Sequence, residues 1–136
     1  ETTLYENGSI IMTLYDYEES IYKARCQQIS YKELARNPEL YKNQEFVFTG
    51  EVIQVIEDEY KLTLRINVTP SSVGSKVYYS DTIYATYRTE PDADRILDGD
   101  IITFWGTCSG LITYESIFGQ QISLPGMYIS YYELSN

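Results

Sequence analysis

The 136-residue chain has no histidine. That removes the commonest general base, the commonest zinc ligand, and any Cys–His or Ser–His nucleophilic pair. Cysteine is scarce: Cys26 and Cys108 stand far apart, with no C-x-x-C spacing to suggest a zinc ribbon or a dithiol redox site. Basic residues are few, ten Lys and Arg against twenty Asp and Glu, for a net charge of −10. Such a balance opposes binding of a phosphate backbone, which depends on cations neutralising phosphates. No apolar run approaches membrane-spanning length. Ser30, Ser109 and Ser116 have no base to activate them, and the acids cluster in turns without facing arginines. A non-enzymatic protein without cofactor or metal is therefore expected.

Tyrosine is abundant, with fifteen in the chain, and it favours strands and half-buried surfaces. A length of 136 residues suits one domain with its own core. Residues 46–136 hold twelve acids and five bases, so the second part carries −7 of the charge. Two segments there are apolar strands broken by one glycine, Phe46–Val55 around Gly50 and Ile101–Thr107 around Gly106. An internal glycine marks a bulge or a sharp coil, as a small closed barrel requires.

Along the chain, residues 2–15 read either as a hairpin about Asn7-Gly8 or as a frayed terminus. Residues 1–19 are accordingly treated as an extension, and residues 20–136 as the folded domain with a leading helix. Acids precede bases between Asp16 and Gln28, which suits a helix dipole. Ser30 with Glu33 forms a capping-box pattern for a second helix ending near Asn37-Pro38, and Leu40 and Tyr41 are expected to pack it on the first barrel strand. Tyr60, Leu62, Leu64, Ile66 and Val68 alternate with Lys61, Thr63, Arg65 and Asn67, giving one buried and one wet face. A loop over 70–76, a strand from Ile83 to Tyr87, strands at Ile101–Thr107 and Ile122–Leu134, and a long excursion at Gly110–Gly119 complete the reading. Thr89–Leu97 has room for one helical turn. Three strands in meander, a short link and two more strands give a mainly β, five-stranded Greek-key barrel of OB-fold type with an N-terminal helical segment.

The segments Ile29–Lys42, Phe48–Val55, Arg95–Asp100, Gly110–Ser116 and Ile122–Gly126 together resemble the tRNA-anti-like OB-fold family. The resemblance covers roughly residues 20–136. It implies the OB-fold and an extracytoplasmic setting, since those domains occur in exported and lipid-anchored proteins, largely of Gram-positive bacteria. A chain beginning at Glu1 fits a mature or anchor-stripped lipoprotein domain at the cell surface, with membrane attachment only through an anchor outside this sequence. In an exported domain, Cys26 and Cys108 are expected to form a disulfide worth roughly 4 kcal/mol in the chain-entropy model, two buried thiols being the alternative.

The acidic stretch Glu90, Asp92, Asp94, Asp98 and Asp100 does not follow the EF-hand spacing and reads as a surface loop, with Asp98-Gly99 as a turn. OB-folds commonly bind on the outer face of their second and third strands. By alternation that face carries Lys61, Thr63, Arg65, Tyr84, Thr86 and Arg88, and Trp105 should also point outward. The leading expectation is a binding module for a protein or glycan partner. Single-stranded nucleic-acid binding is the alternative, and a structural spacer in a surface-anchored protein is the third reading.

Overall fold

A computed structural model describes residues 3–6, 9–89 and 94–135. Strands β1 (Thr3–Glu6) and β2 (Ser9–Thr13) pair antiparallel; the connecting Asn7 and Gly8 lie outside the described residues. Helix α1 (Leu14–Arg25) follows at once, so it runs across the boundary expected at residue 20. Thr13 caps it, its Oγ1 accepting from the Asp16 N–H at 3.1 Å, and Lys23 and Arg25 complement the dipole in its last turn. No residue of α1 is fully buried, so its position depends on what it lies against. Helix α2 (Tyr31–Arg36) is capped by Ser30, whose Oγ accepts from the Glu33 N–H at 3.2 Å. The reciprocal half of the capping box is not made. Glu33 Oε1 instead accepts from Asn37 Nδ2 at 3.1 Å and from the Tyr41 hydroxyl at 2.8 Å. Tyr41 packs edge-on against Phe46 as expected, whereas Leu40 is 66% exposed on the turn after the helix.

Five strands close the barrel: β3 (Glu45–Glu57), β4 (Lys61–Val73), β5 (Lys76–Arg88), β6 (Ile101–Glu115) and β7 (Gln121–Ser135). Their order around the wall is β3-β4-β5-β7-β6, antiparallel except for the β5–β7 pair. This is OB-fold topology. The alternating side chains pack inside: Phe46, Phe48 and Val52 from β3, Leu62, Leu64 and Ile66 from β4, Ile83 and Ala85 from β5, Ile102 and Phe104 from β6. Leu34 of α2 and Ile96 join the same core. Tyr60, expected on the inner face, is 69% exposed because it lies in the turn before β4.

The register shift expected after Val52 is present between Val52 and Gln54, and a second occurs at Trp105/Gly106. The glycines there have no room for a side chain. A Cβ on Gly50 would lie 2.2 Å from the Asn67 carbonyl oxygen, and one on Gly106 would lie 2.2 Å from that of Tyr128. Two stretches read as loops are strand. β4 and β5 continue to a two-residue turn at Gly74-Ser75, and β6 and β7 continue to a turn at residues 116–120. Ser and Thr in these arms pair across the ladder, as with Thr113 and Ser123 at 2.8 Å, so hydroxyl pairing extends strands that lack apolar alternation. The helical turn suggested for Thr89–Leu97 falls partly on residues 90–93, outside the described residues; residues 94–97 are irregular. Among the described residues no helix is long and apolar enough to cross a membrane.

Candidate ligand-binding face

Cross-strand register assembles the outer face from residues distant in sequence. Gln54 and Ile56 of β3 stand opposite Arg65 and Thr63 of β4. Lys61, Thr63 and Arg65 in turn face Arg88, Thr86 and Tyr84 of β5, and Thr86 is beside Tyr128 of β7. The six β4 and β5 residues singled out by alternation thus share one face.

They do not share one environment. Gly110 and Gly126 pair across the β6–β7 ladder at a bulge, Gly110 with a left-handed φ of 86°. A Cβ on Gly126 would lie 2.4 Å from Ser109 Oγ and 2.5 Å from Ile112 Cγ1. The absence of both side chains lets the hairpin bend closely at this point. The arm beyond it brings the Tyr114 ring to 5.3 Å from that of Tyr84. Tyr114, Ile117 and Ile122 then wall a groove of about 370 Å³ whose floor is Gln54, Ile56, Thr63, Arg65 and Tyr84. Thr63, expected to be exposed, is 8% exposed for this reason.

Two residues lining the groove each carry a buried polar atom with no hydrogen-bond partner among the described residues, Arg65 Nε and the Tyr114 hydroxyl. Arg65 Nη1 reaches Gln54 Oε1 at 3.5 Å. Lys61, Thr86 and Arg88 lie outside this groove, in a shallower depression with Tyr60, Tyr128 and Ile129. Lys61 and Arg88 are exposed, and neither they nor Arg65 form an ion pair among the described residues.

Trp105 does not join the face. It points outward on β6, but α1 covers it, with Lys23 Nζ 4.1 Å from the ring centroid. Lys23 also bonds Glu133 Oε2 at 3.1 Å, Tyr22 meets Thr107 at 3.1 Å, and Arg25 forks onto Glu45 at 2.7 and 2.9 Å.

The expected Cys26–Cys108 disulfide is absent; both are free thiols. Gln27, next to Cys26, bonds one edge of β3 through Glu45 and Val47. The strand carrying Cys108 pairs with the other edge. β3 therefore lies between the two cysteines, about two strand spacings or 10 Å, beyond disulfide reach. Cys108 is buried with its thiol toward the Pro38 carbonyl, and burial raises its pKa. Burial and nearby Glu45 push the Cys26 thiol up to about 11.

Of the acidic stretch, Glu90 and Asp92 lie outside the described residues. Asp98-Gly99 is a turn, closed by Asp100 Oδ2 accepting from the Leu97 N–H at 2.8 Å. No group of metal-ligating side chains occurs among the described residues.

Sequence reasoning missed Ile56, Tyr114, Ile117 and Ile122. Their signal was present as Gly110 and Gly126, but a glycine in a strand does not tell how far the strand continues beyond it.

No family model matches the chain, and no curated protein matches it. Among solved structures, the mitochondrial single-stranded DNA-binding protein of S. cerevisiae aligns with TM-score 0.43 and 12% identity, over 68% of this chain and 95% of that one. A second structure of that protein, labelled with selenomethionine, gives 0.40 at the same identity and coverage. The OB-fold assignment rests on the strand order of this chain itself.

Proposed function

We propose that the chain is a non-enzymatic OB-fold binding module that takes an extended segment of a partner protein under the β6–β7 arm. The observation that carries this reading is the groove itself. Its lining includes Ile56, Ile117, Ile122 and two tyrosines, and the tip of the arm holds Ile117 at 94% and Phe118 at 86% exposure. Large apolar side chains so exposed beside a concave surface mark interaction sites. Apolar walls suit a peptide better than a glycan, whose hydroxyls need many polar partners. The extracytoplasmic, surface-anchored setting belongs to the same proposal and rests on the family resemblance.

The test is selection of a random dodecapeptide library on the immobilised protein and on an Ile117→Asp, Phe118→Asp double variant. Peptides enriched on the parent and lost on the variant are expected. Failure to enrich any peptide, or equal retention by the variant, sinks the reading.

One observation favours the nucleic-acid alternative: Lys61 and Arg88 face each other, unpaired among the described residues, with Tyr60 and Tyr128 in the same depression. Cations beside aromatic platforms are how single strands are held. Opposing it is the net −10 of the chain, which repels a polyanion. Anisotropy with a labelled oligonucleotide at about 150 mM salt, where the Debye length is about 8 Å, is expected to show no tight binding. A sub-micromolar affinity abolished by Arg88→Ala replaces the protein reading with the nucleic-acid one.

A further inference from the structure

Two of the residues that line the groove carry hydrogen-bond donors without acceptors. Arg65 Nε and the Tyr114 hydroxyl are both buried and unpartnered among the described residues, and both residues line the same cavity. Buried polar groups in folded proteins are nearly always paired, so two orphans in one cavity point to a group supplied from outside. Among the described residues Arg65 is also the sole cation lining that cavity, and it forms no ion pair with any of them.

We propose that the groove holds a carboxylate subsite, in which Arg65 and Tyr114 donate to one carboxylate of the bound partner segment. The proposal deepens the groove reading above and rests on it. A carboxylate matches the chemistry on three counts. It only accepts hydrogen bonds, it compensates the guanidinium charge, and its plane suits the fork of an arginine. A neutral peptide carbonyl supplies an acceptor but leaves the charge of Arg65 without a counter-charge. A phosphate strand brings many negative charges to an acidic protein, and Glu115 stands in the groove lining to oppose it. A single carboxylate incurs that repulsion once. Tyr84 and Tyr114, 5.3 Å apart, offer faces for the rest of the side chain or backbone that carries the acid.

The experiment titrates isotope-labelled full chain with phenylacetate, phenylacetamide and phenyl phosphate, observed by ¹H–¹⁵N NMR. Phenylacetate is expected to shift the Arg65 Nε–H resonance, assigned by its loss in Arg65→Lys, together with the Tyr84 and Tyr114 amides. Phenylacetamide should bind at least about tenfold more weakly, the scale of one charge-assisted hydrogen bond. Tyr114→Phe should weaken phenylacetate and leave phenylacetamide nearly unchanged, a split that disruption of the groove would not produce. It also serves as the second variant if Arg65→Lys does not fold. Equal affinity for acid and amide at the Tyr84 and Tyr114 amides overturns the carboxylate subsite while the groove reading stands. Tighter binding of phenyl phosphate overturns it in favour of a phosphate ligand. Absence of any shift at those amides with all three probes overturns the subsite; the groove reading then falls only if the peptide selection fails as well.

Discussion

The two sides of the barrel wall are made from the same strands and obey different rules. Inside, Leu62, Leu64 and Ile66 of β4 and Ile83 and Ala85 of β5 are uniformly buried and apolar. Outside, the residues between them range from exposed Lys61 and Arg88 to buried Thr63. The interior is decided by period-two alternation alone, because every inward side chain meets the same core. The exterior is decided by what comes back to cover it. α1 covers β6 at Trp105, and the β6–β7 arm covers β4–β5 at Thr63 and Arg65. An exposed sheet face is thereby divided into a docked patch, a groove with unpaired donors, and an open depression.

This contrast is broken most severely at the glycines where strands coil tightly. Gly106→Val places a side chain against the Tyr128 backbone, where a Cβ already lies at 2.2 Å, and backbone cannot swing away. A loss of roughly 3 kcal/mol or more is expected in urea unfolding. Parent-like stability would count against the closed barrel.

Next in size is a matched pair across the wall. Leu64→Ala, inside and fully buried, should cost about 2–5 kcal/mol, whereas Thr86→Ala on the outer side should stay within about 0.5 kcal/mol. Comparable losses from both would erase the inner–outer distinction.

Tyr114→Phe sharpens the contrast by its sign. It removes a buried hydroxyl that has no partner among the described residues, so the free protein should be unchanged or gain up to about 1 kcal/mol in thermal unfolding. A clear loss would show that the hydroxyl is satisfied within the fold.

The docking of α1 on the outside should appear as a small pH effect. The Arg25 guanidinium hydrogen-bonds Glu45 and holds its pKa below the ordinary carboxylate value, against a smaller opposing effect of burial. A lowered folded pKa means that the contribution is fully present above the ordinary value. It declines as pH falls through the folded pKa. Urea midpoints measured downward from pH 6 should lose this increment in the parent and not in Glu45→Gln.

Smallest of all is the effect of reductant, which should be none. Cys108 faces the interior and Cys26 lies beyond the far edge of β3, so dithiothreitol should leave the unfolding midpoint unmoved. A bond closing that loop would contribute roughly 4 kcal/mol, and its loss on reduction would be evident.

Much of this fold was legible in the chain. Alternation from Leu62 to Val68 marked the inner face, the glycines at 50 and 106 marked the tight coiling, and Ser30 marked the start of α2. The ends of the β6–β7 arm were not legible. Past Gly110 the strands lose clean apolar alternation and are held by cross-strand partners that pairing alone reveals. The candidate site was half legible for the same reason. Lys61, Thr63, Arg65, Tyr84, Thr86 and Arg88 share a face by period two, which is a local property of each strand.

By itself the sequence determined the central parts of the barrel strands, their inward side chains there, and the absence of histidine chemistry, because these depend on residue type and spacing along one segment. Only the tertiary structure decided that α1 would cover Trp105 and that β3 would separate Cys26 from Cys108. It alone brought Tyr114 against Tyr84 in the groove that Arg65 also lines, and left both donors without acceptors among the described residues. Each of these is a contact between segments far apart in the chain. Its geometry is set by how strands coil and close around the barrel, which no local pattern encodes.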